Sequence, residues 1–301
     1  MAGIRRKGVG NRMENSKIKI VFIGTPEFGA VILEALCHAN MAPVLVVTET
    51  DKPVGRKKII TPPPVKIVAE KHNISILQLE TMSGGPTSFQ IEGKPDLIAV
   101  ASYGKILPKE ILEIPKHGCL NVHPSLLPKY RGATPVQSAI LNGDKETGVT
   151  IMLMDEQIDH GPIIAQRKIT VGTNETYLQL HDRLAELGAS LLIDTIPDWI
   201  GGKIKLTPQD EAHATYTKIL TREDGEIDWR KSPQEIDRQI RALNPWPGVY
   251  TVQKKKRIKI LKAMIENGKL LIKQVQPEGK KPISFEDFKR GYSDFRISET
   301  D

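Results

Sequence analysis

Cysteine is scarce in this chain: Cys37 and Cys119 are the only two. They stand far apart and without metal-ligand spacing, which argues against a disulfide scaffold and against a zinc site. Cys119 reads as a small buried hydrophobe. So few thiols suit a reducing compartment, and a cytoplasmic location is expected. No apolar run approaches the roughly 20 residues that a bilayer span needs. The basic start, Met1-Ala2-Gly3-Ile4-Arg5-Arg6-Lys7-Gly8, has no apolar core behind it, so it does not read as a secretory signal. Residues 1–16 are expected to form a mobile basic tail. A dinucleotide fingerprint is also missing. After the first strand the chain reads Gly24-Thr25-Pro26-Glu27-Phe28-Gly29, which is not G-x-G-x-x-G.

The rest of the composition is that of a globular chain. Its 301 residues are 39% hydrophobic and 26% charged, enough for two domains with a core each. The net charge is +7. A basic surface draws polyanions by counterion release, whatever their sequence, so the location of the charge matters more than its sum.

The run Ile18-Lys19-Ile20-Val21-Phe22-Ile23 predicts a buried parallel strand. Thr25 as N-cap and Pro26 at the first helical position then open a helix. A strand over 44–47 completes a β-α-β unit and implies a right-handed crossover in a parallel sheet. A helix over 65–72, a short strand over 74–77 and a buried strand over 97–101 follow. Thr134-Pro135-Val136-Gln137 has the form of a capping box for a helix that stops at Gly143. Strands are expected over 149–153 and 163–169, then an amphipathic helix from Glu175 to about Asp194. Pro197 marks the latest point at which that helix can end.

Glycine, proline and polar residues over 201–214 predict a linker, so the catalytic domain is expected over 17–200 and a second domain over 215–301. In the second domain, Ile236, Ile240 and Leu243 suggest a packed helix, and Asn244-Pro245-Trp246-Pro247-Gly248 a rigid turn. Two strands over 257–262 and 269–273 carry lysine on their polar face, and Lys254, Lys255, Lys256 and Arg257 lead into them. This predicts a basic β-rich, barrel-like domain. A solvated lysine face is the plainer reading.

Two stretches carry chemistry. The first is the long basic loop over 50–64, where Arg56, Lys57 and Lys58 precede Ile59 and Ile60. A basic loop with an apolar wedge fits insertion against nucleic acid, although a solvated surface loop explains it equally well. The second is Gly118-Cys119-Leu120-Asn121-Val122-His123-Pro124-Ser125-Leu126-Leu127-Pro128. It reads as a short buried strand, so Asn121 and His123 share a face at its C-terminal end. That is where open α/β sheets hold ligands. An amide beside an imidazole suits acyl chemistry, the one holding an oxyanion and the other donating to it or moving a proton. A carboxylate partner is expected from the loop Asp155-Glu156-Gln157-Ile158-Asp159-His160-Gly161-Pro162. The plain alternative is a turn-capping Asn121 and a satisfied, half-buried His123.

Asn121-x-His123-x-Ser125-Leu126-Leu127-Pro128, then Tyr130-Arg131-Gly132 and Asp159-x-Gly161, resembles the signature of the folate-dependent formyltransferases. The resemblance runs from about Lys17 to about Gly291 and implies a Rossmann-like parallel-sheet α/β domain. It implies transfer of a formyl group from 10-formyltetrahydrofolate through a tetrahedral intermediate, with Asn121, His123 and Asp159 catalytic and no metal. Ser102-Tyr103-Gly104 and Ser125-Leu126-Leu127-Pro128 would line the folate pocket. Arg56 matches the key arginine of the loop that, in the tRNA-directed members, enters the acceptor arm. Asp228-Trp229, Asn244-Pro245-Trp246-Pro247 and Gly279-Lys280-Lys281-Pro282 resemble the second domain of those members, and against that resemblance the stretch from Met264 to Gln276 is short for all the strands of that domain, which implies a reduced barrel. The acceptor implied is initiator methionyl-tRNA, gripped by Arg56, Lys57, Lys58 and by Lys254, Lys255, Lys256, Arg257. A monomer without membrane attachment is expected. An amino-sugar nucleotide or glycinamide ribonucleotide formyltransferase remains open, as does a non-catalytic RNA-binding module.

Overall fold

The computed structural model describes residues 18–55, 57–81 and 93–292. The tail expected over 1–16, Arg56 and residues 82–92 lie outside the described residues.

The chain opens with β1 (Ile20–Gly24), every residue of which is buried. The helix α1 (Glu27–His38) follows, with Pro26 rather than Thr25 at its N-cap and no side-chain cap. The Thr25 hydroxyl is instead buried and has no hydrogen-bond partner among the described residues. Next come β2 (Leu45–Thr48), β3 (Lys52–Val54), β4 (Ile59–Thr61), α2 (Pro64–Lys71), β5 (Ser75–Gln78), β6 (Leu97–Ala101) and the single turn α3 (Lys109–Leu112). The central motif forms β7 (Cys119–His123), followed by β8 (Arg131–Gly132), α4 (Pro135–Asn142), β9 (Glu146–Leu153), β10 (Ile163–Thr170) and α5 (Tyr177–Ile200).

The main sheet has the order β10-β9-β7-β6-β1-β2-β5. The strands β7, β6, β1, β2 and β5 run parallel, while β9 and β10 close one side antiparallel. From β1 the chain builds outward to β2 and β5, then crosses to β6 on the other side of β1. The crevice beyond the C-terminal ends of β1 and β6 is therefore a topological switch point. The larger core lies on the α1 and α5 side, around Phe22, Leu120 and Val122. A smaller one on the opposite face gathers Ile98, Val100, Tyr103, Leu107 and Cys119.

Two local signals read differently in three dimensions. Thr134 does sit at the N-cap of α4, but no capping box forms. Its hydroxyl donates to the Lys218 carbonyl at 3.0 Å, so a tertiary partner has displaced the local one. Pro197 lies inside α5, which continues to Ile200. The ring removes one backbone donor, and burial of Leu184, Leu191, Leu192 and Ile196 on the same helix outweighs that loss. Each such side chain contributes about 1.5–3 kcal/mol. The start of α5 is a true capping box between Thr176 and Gln179.

Residues 201–214 do not hang free. Thr207 exchanges backbone hydrogen bonds with Ile163 at 2.8 and 2.9 Å. The strand β11 (Tyr216–Thr217) then pairs in parallel with β8. Beyond it, α6 (Pro233–Leu243) carries a Ser232–Glu235 capping box and buries Ile236, Ile240 and Leu243. The strands β12 (Tyr250–Gln253), β13 (Lys256–Glu266), β14 (Lys269–Pro277) and β15 (Ile283–Ser284) form one antiparallel sheet, followed by α7 (Phe285–Gly291). The edges of that sheet are β12 and β15. Helix α6 packs on α4 as well as on β13, so the hydrophobic core runs on from the first half of the chain into the second.

Candidate active site

The period of the strand sets the site. On β7, Leu120 and Val122 face the larger core, and Cys119, Asn121 and His123 face the other way. Parallel pairing sets Asn121 beside Val100 of β6, just before the turn that carries Ser102 and Tyr103. Burial pushes the Cys119 thiol up to about 12, which keeps it protonated and unreactive.

Asp159 reaches this face from the loop after β9. Its Oδ1 accepts the Asn121 side-chain amide at 3.2 Å, and its Oδ2 accepts the Gly132 backbone N–H at 2.8 Å. The same Oδ2 stands 3.5 Å from His123 Nδ1. On the far side of the imidazole, Nε2 lies 2.9 Å from the Tyr130 carbonyl. A carbonyl can only accept, so Nε2 carries a hydrogen there. Nδ1 is then the nitrogen that faces Asp159 and the crevice. His123 is 4% exposed, so this orientation is held by packing as well as by hydrogen bonds.

Several residues that sequence reasoning did not single out hold the set in place. Thr150 of β9 sits opposite His123 and is fully buried. Its hydroxyl donates to Ser125 O at 2.7 Å and accepts from Leu127 N and Gln166 Nε2, at 3.1 and 2.9 Å. This orders the turn after His123. The Ser125 hydroxyl is spent inside that turn, donating to Lys129 O at 2.6 Å. Leu127 is buried and Leu126 half-buried.

The loop bearing Asp159 is held from outside. Asp159 has a φ of 48°, in the left-handed region that is uncommon for non-glycine residues and that Asp enters more readily than most. Gln209 Nε2 donates to both Asp159 O and Gly161 O, at 2.8 Å each. Gln209 Oε1 accepts from Arg131 Nε and Nη2 at 3.1 and 2.9 Å. Arg131 is fully buried. Its charge is met by Glu211, at 2.6 and 3.0 Å, and by the Tyr216 hydroxyl at 2.9 Å. Arg131 in turn holds the Glu211 carboxyl below its ordinary range. A buried guanidinium is tolerable only when its donors are met this fully. Gly161 is required by close approach, since a Cβ there would collide with the Leu153 backbone. Asp155 caps Gln157 N and pairs with His160, which shapes the loop without entering the Asn121–His123–Asp159 set.

The remaining expected site residues occupy the same edge of the sheet. Ser102 and Gly104 both take positive φ, 50° and 74°. Tyr103 is buried, and its hydroxyl has no hydrogen-bond partner among the described residues; the same is true of the Thr25 and Thr48 hydroxyls. Thr25 directly follows β1, and Thr48 ends β2.

The basic loop is a β-hairpin rather than irregular chain. Strands β3 and β4 pair antiparallel across a turn that contains Lys57 and Lys58. Val54, Ile59 and Ile60 are 57%, 61% and 62% exposed. Its base is clamped to the sheet, because Lys66 binds Asp51 at 2.8 Å and Gln78 binds Asp51 at 2.7 Å. Lys105 reaches Glu49 at 3.3 Å, which ties the hairpin base to the Ser102–Gly104 turn. Lys254 and Lys255 form the β12–β13 turn with positive φ, and Lys256 and Arg257 begin β13, exposed. The Arg257 guanidinium stacks 4.0 Å from the Tyr250 ring centroid.

The profile of the formyl transferase family matches residues 17–196, and that of the formyl transferase C-terminal domain matches residues 219–269. A methionyl-tRNA formyltransferase of Halalkalibacterium halodurans is 44% identical over 300 residues, 91% of this chain and 95% of the relative. One of Geobacter metallireducens is 39% identical over 297 residues, 91% and 96% of the two chains. Among solved structures, methionyl-tRNA formyltransferase from Clostridium thermocellum superposes with a TM-score of 0.57 at 22% identity, covering 86% of this chain and 98% of that one. An N-formyltransferase from Helicobacter canadensis, solved with folinic acid and dTDP-3-aminofucose, gives 0.65 at 22% identity, covering 89% and 98%. These two likenesses speak for the fold. With family profiles across both halves and relatives near this identity along almost the whole length, the chain belongs to the formyl transferase family, in its methionyl-tRNA formyltransferase branch.

Proposed function

We propose that this chain moves the formyl group of 10-formyltetrahydrofolate onto the α-amino group of initiator methionyl-tRNA. The observation that carries the mechanism is the placement of Asp159, which binds Asn121 and Gly132 N–H while facing His123 Nδ1. The amine attacks the formyl carbon, and the carbonyl oxygen becomes an oxyanion. Asn121 uses one amide hydrogen on Asp159 and turns the other to that oxygen. His123, anchored through Nε2, supplies Nδ1–H to the same oxygen. The Asp159 carboxylate stabilises the charged imidazole and takes part in removing the proton from the attacking amine. Collapse of the intermediate breaks the bond to the folate nitrogen, which leaves as tetrahydrofolate with a proton.

Ser102, Tyr103, Gly104 and the Ser125–Pro128 turn border the folate site in this reading. The turn that carries Ser102 and Tyr103 follows β6 at the switch point, beside Asn121, which supports it. Ser125 acts through the shape of its turn, since its hydroxyl is already committed. Lys57 and Lys58 on the hairpin, together with Arg56, grip the acceptor arm, and Lys254, Lys255, Lys256 and Arg257 hold phosphates further along. Residues 17–200 then form the catalytic unit and 215–301 the tRNA-gripping unit, joined by residues 201–214, which also brace the Asp159 loop. Folate enters as a co-substrate, and the chemistry given to these residues needs no metal. The chain works as a cytoplasmic monomer.

The test is a formyl-transfer assay with 10-formyltetrahydrofolate and either charged initiator tRNA, free methionine or an amino-sugar nucleotide. Formylmethionine should appear on the tRNA alone. Transfer to the sugar nucleotide but not to tRNA would replace the proposed acceptor, and tRNA binding without turnover would leave only a binding module.

A further inference from the structure

A second cluster lies away from this crevice. Glu34 and His38 stand one turn apart on α1, and His72 caps the C-terminus of α2. Both imidazoles aim Nε2 at the same carboxylate oxygen. Glu34 Oε1 is 3.2 Å from His38 Nε2 and 3.1 Å from His72 Nε2. All donor atoms of the group fall within 4.8 Å of one another. We propose that Glu34, His38 and His72 form a binding site for a divalent transition-metal ion of the zinc class.

The spacing supports this. Zinc–nitrogen bonds of about 2.0–2.1 Å in a tetrahedral site put neighbouring donors about 3.3–3.4 Å apart. The two separations from Glu34 are close to that edge and the two imidazole donors lie within 4.8 Å of each other, so one ion reaches all three donors once the exposed His38 side chain adjusts. Two imidazoles and one carboxylate suit zinc, nickel or copper, and a fourth position is open to water. Calcium and magnesium demand more oxygen ligands than the cluster offers. The scaffold is firm, because α1 and α2 pack against each other and bury Leu36 and Ala69. Lys71 Nζ lies 2.8 Å from the same Glu34 oxygen. Lys71 is 64% exposed and His38 70%, so the ammonium can swing out as a metal enters. Helix α1 leaves the C-terminal end of β1 and carries Glu34 and His38 in its second half, toward the opposite edge of the sheet. The ion would tie α1 to α2 and take no part in formyl transfer.

The test is calorimetric titration of the full chain with Zn²⁺ at neutral pH, with Co²⁺ as spectroscopic probe and Mg²⁺ as control. One Zn²⁺ per chain should bind with Kd below about 100 μM and raise the melting temperature. His38→Ala and His72→Ala should each weaken binding at least about tenfold and abolish the thermal shift. Lys71→Met should tighten it, because it removes a competing cation, and formyl-transfer activity of all three variants should stay near that of the parent. Weaker binding by the parent chain, affinity unchanged in either histidine variant, or a Lys71→Met variant that binds more weakly would overturn the site.

Discussion

Asp159 is held in the left-handed backbone region, which non-glycine residues adopt uncommonly, Asp among the more tolerant of them. The Gln209 amide, donating to the carbonyls of Asp159 and Gly161, compensates for that conformation and aims the carboxylate at Asn121 and His123. Losing an oxyanion donor costs about 10²–10³ in turnover, so Asn121→Ala and His123→Ala should each lose that much kcat with tRNA affinity nearly unchanged. Near-normal turnover in either variant would remove the assignment. Asp159→Asn should be comparably severe, because an amide cannot accept from both Asn121 and Gly132 while balancing a charged imidazole. Gln209→Glu separates positioning from folding. The new carboxylate still pairs with Arg131 but repels the two carbonyls, so kcat should fall about tenfold or more while KM for folate holds. Its pH–rate profile should shift as well, since Asp159 is displaced relative to His123. A variant that keeps both the parent kcat and the parent profile would show that Gln209 only fills space.

At the scale of elements, the β3–β4 hairpin is unusual for what it leaves uncovered. Val54, Ile59 and Ile60 face solvent beside Lys57 and Lys58, while the hairpin's base is pinned by Asp51, Lys66 and Gln78. An apolar tip on a pinned stem is ready to meet a partner without a large ordering cost. Changing exposed residues away from packed features moves stability by no more than about 0.5 kcal/mol, so Ile59→Ser with Ile60→Ser should leave melting almost unchanged. The same double variant, and Arg56→Ala, should raise KM for charged tRNA and leave folate binding intact. An equal fall in folate affinity would mean that the hairpin acts on the pocket, through Lys105 and Glu49, and not on the tRNA.

At the scale of the molecule, the second half is both a basic surface and a brace. Removing everything from Thr215 onward would take away Thr215 O and Thr215 Oγ1, which receive Arg131 N and Tyr130 N at 2.8 Å each. It would also strip α6 from α4. Such a truncation would mix the loss of the proposed phosphate contacts with damage to the site. Substituting Lys254, Lys255 and Lys256 by alanine separates the two, because these side chains lie around the exposed β12–β13 turn. Each duplex phosphate contact carries roughly 0.9 units of slope in log affinity against log salt. The triple variant should bind tRNA more weakly, with a flatter salt dependence and an unchanged kcat at saturating tRNA. Parent-like affinity and slope would assign this half of the chain to bracing alone.

The parts legible in the sequence are those set by local periodicity. The runs that became β1 and β6 are buried along their whole length because a strand covered on both faces tolerates no polar residue. The step of two along β7 was enough to put Asn121 and His123 on one face, and the spacing along α5 named its buried stripe. Tertiary competition decided the rest. Thr134 looks like a cap but gives its hydroxyl to Lys218, and Pro197 looks like a stop but is carried through by the burial around it. Residues 201–214 look like a spacer because their polarity is visible, whereas the carbonyls and the buried Arg131 that this polarity satisfies lie elsewhere in the chain. Gln209 meets Asp159 across 50 positions, and no periodicity reports a hydrogen bond of that separation. Local sequence thus chose which side chains could do the chemistry, while the long-range pairing of buried donors with buried acceptors decided where Asp159 points.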